Sequence, residues 1–151
     1  MSLEQDIGRL ARTRPFDLLP ADALKLIAFS AERRSFLAGE SFFEQGEEAD
    51  CAFFLLSGSA TLTARNEGGA KQRQVGAGAL LGEMAIIAPT RRPAGAKARE
   101  DGVALRISRD VMRRVLSEYP REAARIRASL AERTLKLAAE LNHVRLRANY
   151  F

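Results

Sequence analysis

Reactive side chains are scarce in this sequence, which has one cysteine, Cys51, and one histidine, His143, among its 151 residues. A single thiol forms no internal disulfide, and one cysteine with one histidine is a poor basis for a metal site. No Ser/His/Asp or Cys/His constellation can be assembled and no carboxylate pair stands out, so a non-catalytic protein without metal or cofactor is expected. Cys51 sits in an apolar run and reads as a buried, inert thiol. His143 falls in a late helix, where a surface or interface role suits it better than catalysis. Long apolar runs are missing too: nothing approaches the ~18 residues of a membrane helix. The opening residues Met1-Ser2-Leu3-Glu4-Gln5-Asp6 are acidic where a signal peptide is basic and then apolar, which points to a cytoplasmic protein. Internal repeats and low-complexity tracts are absent as well.

What remains is an ordinary globular composition, 46% hydrophobic and 28% charged. The length fits one domain that buries roughly two-thirds of its unfolded surface. A net charge of +5 attracts anions, nucleotides and nucleic acid among them. Much of the excess lies at Arg113, Arg114, Arg121, Arg125, Arg127, Arg133, Lys136, Arg145 and Arg147. On helices such residues form a solvated face, and DNA binding by this chain alone is not expected.

In chain order, Leu3, Ile7, Leu10 and Ala11 predict an amphipathic helix over 3–12, ended by Pro15. A second helix is predicted from Ala21 to about Phe29, with Leu24, Ile27 and Ala28 on one face. From Ser35 glycines cut the chain at Gly39, Gly46, Gly58, Gly68-Gly69, Gly76, Gly78 and Gly82. Strand-like segments lie between and beyond them: 41–43, 52–56, 60–64, 72–75, 79–81, 95–98 and 103–107. Short strands with regular turn signals argue for a sandwich, jelly roll or barrel. Asn66-Glu67-Gly68-Gly69 reads as a hairpin turn whose glycines supply positive φ.

After Ile107 glycine disappears. Ser108 is a good N-cap for a helix over 109–117, and Pro120 suits the first turn of a helix running to about residue 146. Ala123, Leu130, Thr134, Leu137, Leu141, Val144 and Ala148 trace an imperfect heptad seam with Arg127 at one of its positions. A helix of ~26 residues is near 39 Å long, more than a small barrel covers, so a homodimer seam is favoured over packing on the chain's own barrel. The expected organisation is helices over 1–30, a β-rich body over 31–107 and C-terminal helices over 108–151, all in one domain.

Residues 82–94 combine one acid, Glu83, with an arginine pair, Arg91-Arg92, between glycine-spaced strands. That set suits a small ligand carrying both hydroxyl and phosphate groups, although a Gly-Glu can be only a helix start and paired arginines only surface charge. The surrounding motifs narrow the choice. Gly39-Glu40-Ser41-Phe42-Phe43-Glu44-Gln45-Gly46-Glu47-Glu48-Ala49-Asp50, followed by Ala52-Phe53-Phe54-Leu55-Leu56-Ser57-Gly58, resembles the first signature of cyclic nucleotide-binding domains. Gly76-Ala77-Gly78-Ala79-Leu80-Leu81-Gly82-Glu83-Met84-Ala85, then Arg92-Pro93-Ala94, resembles the second, the phosphate-binding cassette. The resemblance covers about residues 16–142 and is strongest to effector domains of the catabolite activator type.

That resemblance implies a mainly β fold with flanking helices: an eight-stranded β-roll (a double-stranded β-helix or jelly roll), N-terminal helices and a long C-terminal helix near the ligand and a dimer interface. It implies a cyclic nucleotide as ligand, cAMP rather than cGMP, held without catalysis in a sensor or regulatory module. Glu83 takes the ribose 2′-hydroxyl, as a carboxylate acceptor suits. Arg92 takes the phosphate through charge-assisted hydrogen bonds, with N–H groups of a short helix after Gly82 assisting. Gly82, Met84, Ala85 and Ala94 complete the cassette, and Leu62 and Val75 form the wall behind sugar and base. Arg91 adds positive field at the mouth. Leu137, Ala138 and Leu141 offer an apolar lid for the base.

Pro93 departs from the Ser, Thr or Ala usual in the family and supplies neither an N–H nor a hydroxyl; one lost charge-assisted bond costs about 1.5–3 kcal/mol. Two alternatives therefore stand beside the sensor: a binding-incompetent relative used for dimerisation or for a protein partner, and the effector domain of a transcription regulator without its DNA-binding domain, since few residues follow the long helix.

Overall fold

The computed structural model describes residues 2–143, with side chains through Arg133. Helix α1, Leu3–Leu10, is opened by a capping box in which Ser2 and Gln5 satisfy each other's backbone N–H groups. Helix α2 spans Ala21–Ser30. Ten short strands follow: β1 Glu32–Phe36, β2 Ser41–Phe43, β3 Glu48–Ala49, β4 Cys51–Ser57, β5 Ala60–Asn66, β6 Gly69–Val75, β7 Leu80–Leu81, β8 Thr90–Arg91, β9 Gly95–Ala98 and β10 Gly102–Ser108. Helices α3, Arg109–Glu118, and α4, Pro120–His143, close the described chain. Ser108 caps α3 as expected, its hydroxyl accepting from the Val111 N–H at 3.1 Å.

Eight of the strands form two antiparallel four-stranded sheets, ordered β1-β10-β4-β7 and β2-β9-β5-β6, which is the expected roll. The remaining two, β3 and β8, make a two-residue ribbon in which Glu48 pairs with Arg91 and Ala49 with Thr90. The β5–β6 hairpin turns over Glu67-Gly68, but Gly69 alone carries positive φ there.

Strand β4 organises the core because both of its faces are covered. Cys51, Phe53 and Leu55 point into the roll, where they meet Phe36, Phe43, Leu81, Ala96 and Ala104. Ala52, Phe54 and Leu56 point the other way, into a second cluster with Leu105, Ile107 and the helices. Alternation with both faces buried produces a continuous apolar run in the sequence. Phe54 is fully buried, and burial of a side chain of this size contributes roughly 1.5–3 kcal/mol.

The helix-side cluster also takes Val111, Met112, Val115 and Leu116 of α3 with Ala123, Ile126 and Leu130 of α4. Ala123 and Leu130 are therefore packed on the chain's own core, which corrects the reading of that part of the heptad seam as a dimer contact. A small barrel presents little surface to a long helix, but here α3 and the short turn Phe16–Leu18 pack against α4. The side chains of Thr134, Leu137, Ala138, Leu141 and His143 lie outside the described ones, as do Val144 and Ala148 altogether. Among the described residues no helix is long and apolar enough to cross a membrane.

Candidate functional site

Strand β7 delivers the cassette by pairing Leu80 and Leu81 with Phe54 and Phe53 of β4. Gly82 follows in the left-handed region at φ 77°, which turns the chain out of the sheet at no Cβ penalty. Glu83–Ile86 then form one 3₁₀ turn, anchored by the buried Ala85 and Ile86. The expected cassette helix is thus a single tight turn. Its N–H groups are partly spent within it, since Ala85 donates to the Gly82 carbonyl at 3.1 Å.

The chain returns through β8 to Arg92, whose backbone is clamped on both sides: its N–H donates to Glu47 O and its carbonyl accepts from Gly46 N–H, each at 2.8 Å. The two sequence signatures meet at this residue. The Arg92 side chain is only 4% exposed. Its Cζ lies 4.1 Å from the centroid of the Phe43 ring, and Nη2 donates to Cys51 Sγ at 3.5 Å. Nη1 sits against Gly82, where a Cβ would overlap it. Neither Nε nor Nη1 has a hydrogen-bond partner among the described residues.

A buried guanidinium without a carboxylate is costly unless an anion completes its bonding. Stacking on Phe43 offsets part of that cost, about 0.5–2 kcal/mol. Burial raises the Cys51 thiol above its ordinary pKa against the opposing pull of Arg106 and Arg92, so at neutral pH it accepts from Arg92 as a neutral thiol. Cys51 is free and buried, as its sequence context predicts, yet it lies in contact with the cassette arginine.

Arg91 is placed apart from Arg92, because successive residues of an extended chain point to opposite faces. Its side chain is exposed, donates to Gly46 O at 3.0 Å and faces Glu48 at 3.7 Å. With Glu48, Asp50, Thr90 and Arg109 it lines an open concavity of about 530 Å³ that neither Glu83 nor Arg92 enters. Pro93 is exposed, Ala94 is buried, and Met84 packs with the helix-side cluster. Leu62 and Val75 are half-buried against the cluster that contains Phe43 and Cys51. The structure thus brings Gly82, Arg92, Leu62 and Val75 to one apolar cluster with Glu83 beside it. The lid residues Leu137, Ala138 and Leu141 fall outside the described side chains.

Four further residues complete the arrangement. Phe43 and Cys51 hold the Arg92 guanidinium. Arg109, first residue of α3, donates through Nη1 to the carbonyls of Ala49 at 2.9 Å and Ala88 at 3.2 Å, fixing the end of the cassette turn. Arg133 of α4, read in the sequence as part of a solvated face, forms an ion pair with Glu83 through Nη1 and Oε2. Phe43 lies in the first signature and Cys51 between its two segments, and the alternation of Cys51, Phe53 and Leu55 toward the roll interior is a usable signal that the thiol points inward. Arg109 and Arg133 carry none, since only the tertiary fold brings them to the cassette. Among the described residues no group of three potential metal ligands occurs.

Known proteins share this fold. A cGMP-dependent protein kinase from Eimeria tenella is 30% identical over 107 residues, 71% of this chain, and the match spans 10% of that kinase's length. The solved structure of a cyclic nucleotide-binding-like protein from Brucella abortus is similar at 41% identity and a TM-score of 0.68, over 75% of this chain and 98% of that one. Thermus thermophilus catabolite activator protein is similar at 26% identity and a TM-score of 0.72, over 90% of this chain and 62% of that one. The family model for the cyclic nucleotide-binding domain matches residues 33–119, both signatures and the helix that follows them included, and the chain belongs to that family.

Proposed function

We propose that the chain is a non-catalytic, cytoplasmic sensor of a cyclic nucleotide, cAMP in preference to cGMP. One observation carries this reading: Arg92 is clamped through its backbone and its guanidinium is buried and stacked on Phe43, yet two of that group's nitrogens have no partner among the described residues. A cyclic phosphate supplies both the missing acceptors and the missing charge. Glu83, on the residue next to Gly82, takes the ribose 2′-hydroxyl. Leu62 and Val75 form the wall, and Leu137, Ala138 and Leu141 cover the base. An apolar lining of this kind penalises guanine more than adenine, because guanine has more polar groups to desolvate. Arg91, on the other face, contributes field rather than contact. The ligand state is passed to α4 and to a homodimer or protein partner that reads it.

Thermal melts test this reading. Ligand at ~100 times its Kd is expected to add about 2.7 kcal/mol to stability. The absence of any shift with millimolar cAMP or cGMP favours the second reading, a binding-incompetent interaction module, for which the missing N–H of Pro93 is the supporting observation.

A further inference from the structure

The ion pair between Arg133 and Glu83 joins residues 50 apart in sequence and links α4 to the cassette. Among the described residues Arg14 with Asp17 and Arg113 with Asp110 are local pairs, while Arg33 with Asp6, Arg91 with Glu48 and Arg106 with Asp50 join distant segments, but none of these involves α4. The Arg133–Glu83 pair sits at the rim, with side chains 47% and 26% exposed. Pairs this exposed add little to stability, so their effect is to be sought elsewhere.

The core fixes where the backbone of Arg133 stands, although its side chain is half exposed. Ala123, Ile126 and Leu130 are buried on one face of α4, and Arg133 continues that face at the next step of three. With Leu130 fully buried, the helix cannot turn Arg133 outward without withdrawing Leu130 from the core. The arginine holds one carboxylate oxygen, Oε2, and leaves Oε1 for a second donor. A glutamate on a one-turn 3₁₀ segment is otherwise fixed only at its backbone, and its side chain has several rotamers open to it.

We propose that Arg133 is a positioning residue that sets specificity for the ribose: it locks the Glu83 carboxylate in the orientation that accepts a 2′-hydroxyl. The inference rests on the cyclic nucleotide reading above and names a residue from outside the cassette as part of its sugar recognition. Preorganising an acceptor raises affinity for the ligand that uses it and leaves a ligand without that donor nearly indifferent.

The test is calorimetric titration of the full chain with cAMP and with 2′-deoxy-cAMP, for the wild type, Arg133→Gln and Arg133→Lys. The wild type is expected to prefer cAMP by about tenfold or more, as the loss of a hydrogen bond to a charged acceptor implies. In Arg133→Gln that preference falls at least about threefold, mainly through weaker cAMP binding, and Arg133→Lys retains most of it. If Arg133→Gln weakens both ligands equally, or neither, Arg133 plays no part in sugar recognition and the proposal fails while the sensor reading stands. If the wild type binds neither ligand, both fail together.

Discussion

Replacing Arg92 with methionine is expected to abolish cyclic nucleotide binding and, at the same time, to raise the melting temperature of the unliganded domain. The two effects have one cause. Arg92 is 4% exposed and has no carboxylate partner, so the folded chain carries a desolvated cation whose Nε and Nη1 are unpartnered among the described residues. Replacing buried ionic groups with apolar ones of similar volume is often stabilising, by about 1–4 kcal/mol. Loss of the stack on Phe43 returns about 0.5–2 kcal/mol of that. The net gain is on the order of 1 kcal/mol, or roughly 2–4 °C for a chain of this size. Binding loses charge-assisted hydrogen bonds worth about 1.5–3 kcal/mol each, so with two donors removed the affinity drops by more than about a hundredfold. Melts without ligand and titrations with it measure the two halves separately. A variant that melts lower than the wild type and still binds contradicts the assignment of Arg92 as an incomplete anion site.

Gly82→Ala carries the second large effect, for a steric reason. The position has φ 77°, and a Cβ there overlaps Arg92 Nη1. The backbone term alone costs about 1–2 kcal/mol. The overlap adds a displacement of the guanidinium from Phe43 and Cys51, which is expected to weaken nucleotide binding at least about tenfold, because a misplaced cation loses its bonds to phosphate. Gly78→Ala is the matching control: Gly78 has φ 92° but nothing within 4 Å of an added Cβ. It is expected to lose similar stability and to keep its affinity. Equal binding losses in the two variants would mean that the backbone, and not contact with Arg92, governs the site.

Much of the fold was legible because the glycines and the paired phenylalanines follow strand geometry. The run Cys51–Ser57 is apolar at nearly every position since both faces of β4 are covered, whereas 95–98 shows one-sided burial, with Ala96 and Ala98 buried and Lys97 exposed between them. Strand β1 was harder to see. Glu32, Arg33, Arg34 and Ser35 are exposed at a sheet edge, where no apolar alternation is required. The ribbon of β3 and β8 is two residues long on each side, too short to leave a pattern.

The cassette was legible as a motif and opaque as an environment. Spacing from Glu83 distinguishes Arg92 from Arg91, and the structure places the two side chains on opposite faces, Arg92 buried and Arg91 exposed. Nothing in the local sequence tells that Arg92 stacks on Phe43, that Cys51 touches it or that Arg109 pins the end of the turn. Those contacts join residues 21 to 60 positions apart. The seam on α4 misled for the same reason: heptad-like spacing fits a helix buried on its own domain as well as one buried on a partner, and Ala123, Ile126 and Leu130 take the former course.

The most direct test of the central claim is calorimetric titration of the chain with cAMP and cGMP, repeated on Arg92→Met. The account predicts saturable binding at one site per chain, tighter for cAMP than for cGMP and lost in the variant. No heat from either nucleotide at millimolar concentration, or undiminished binding by Arg92→Met, would contradict it.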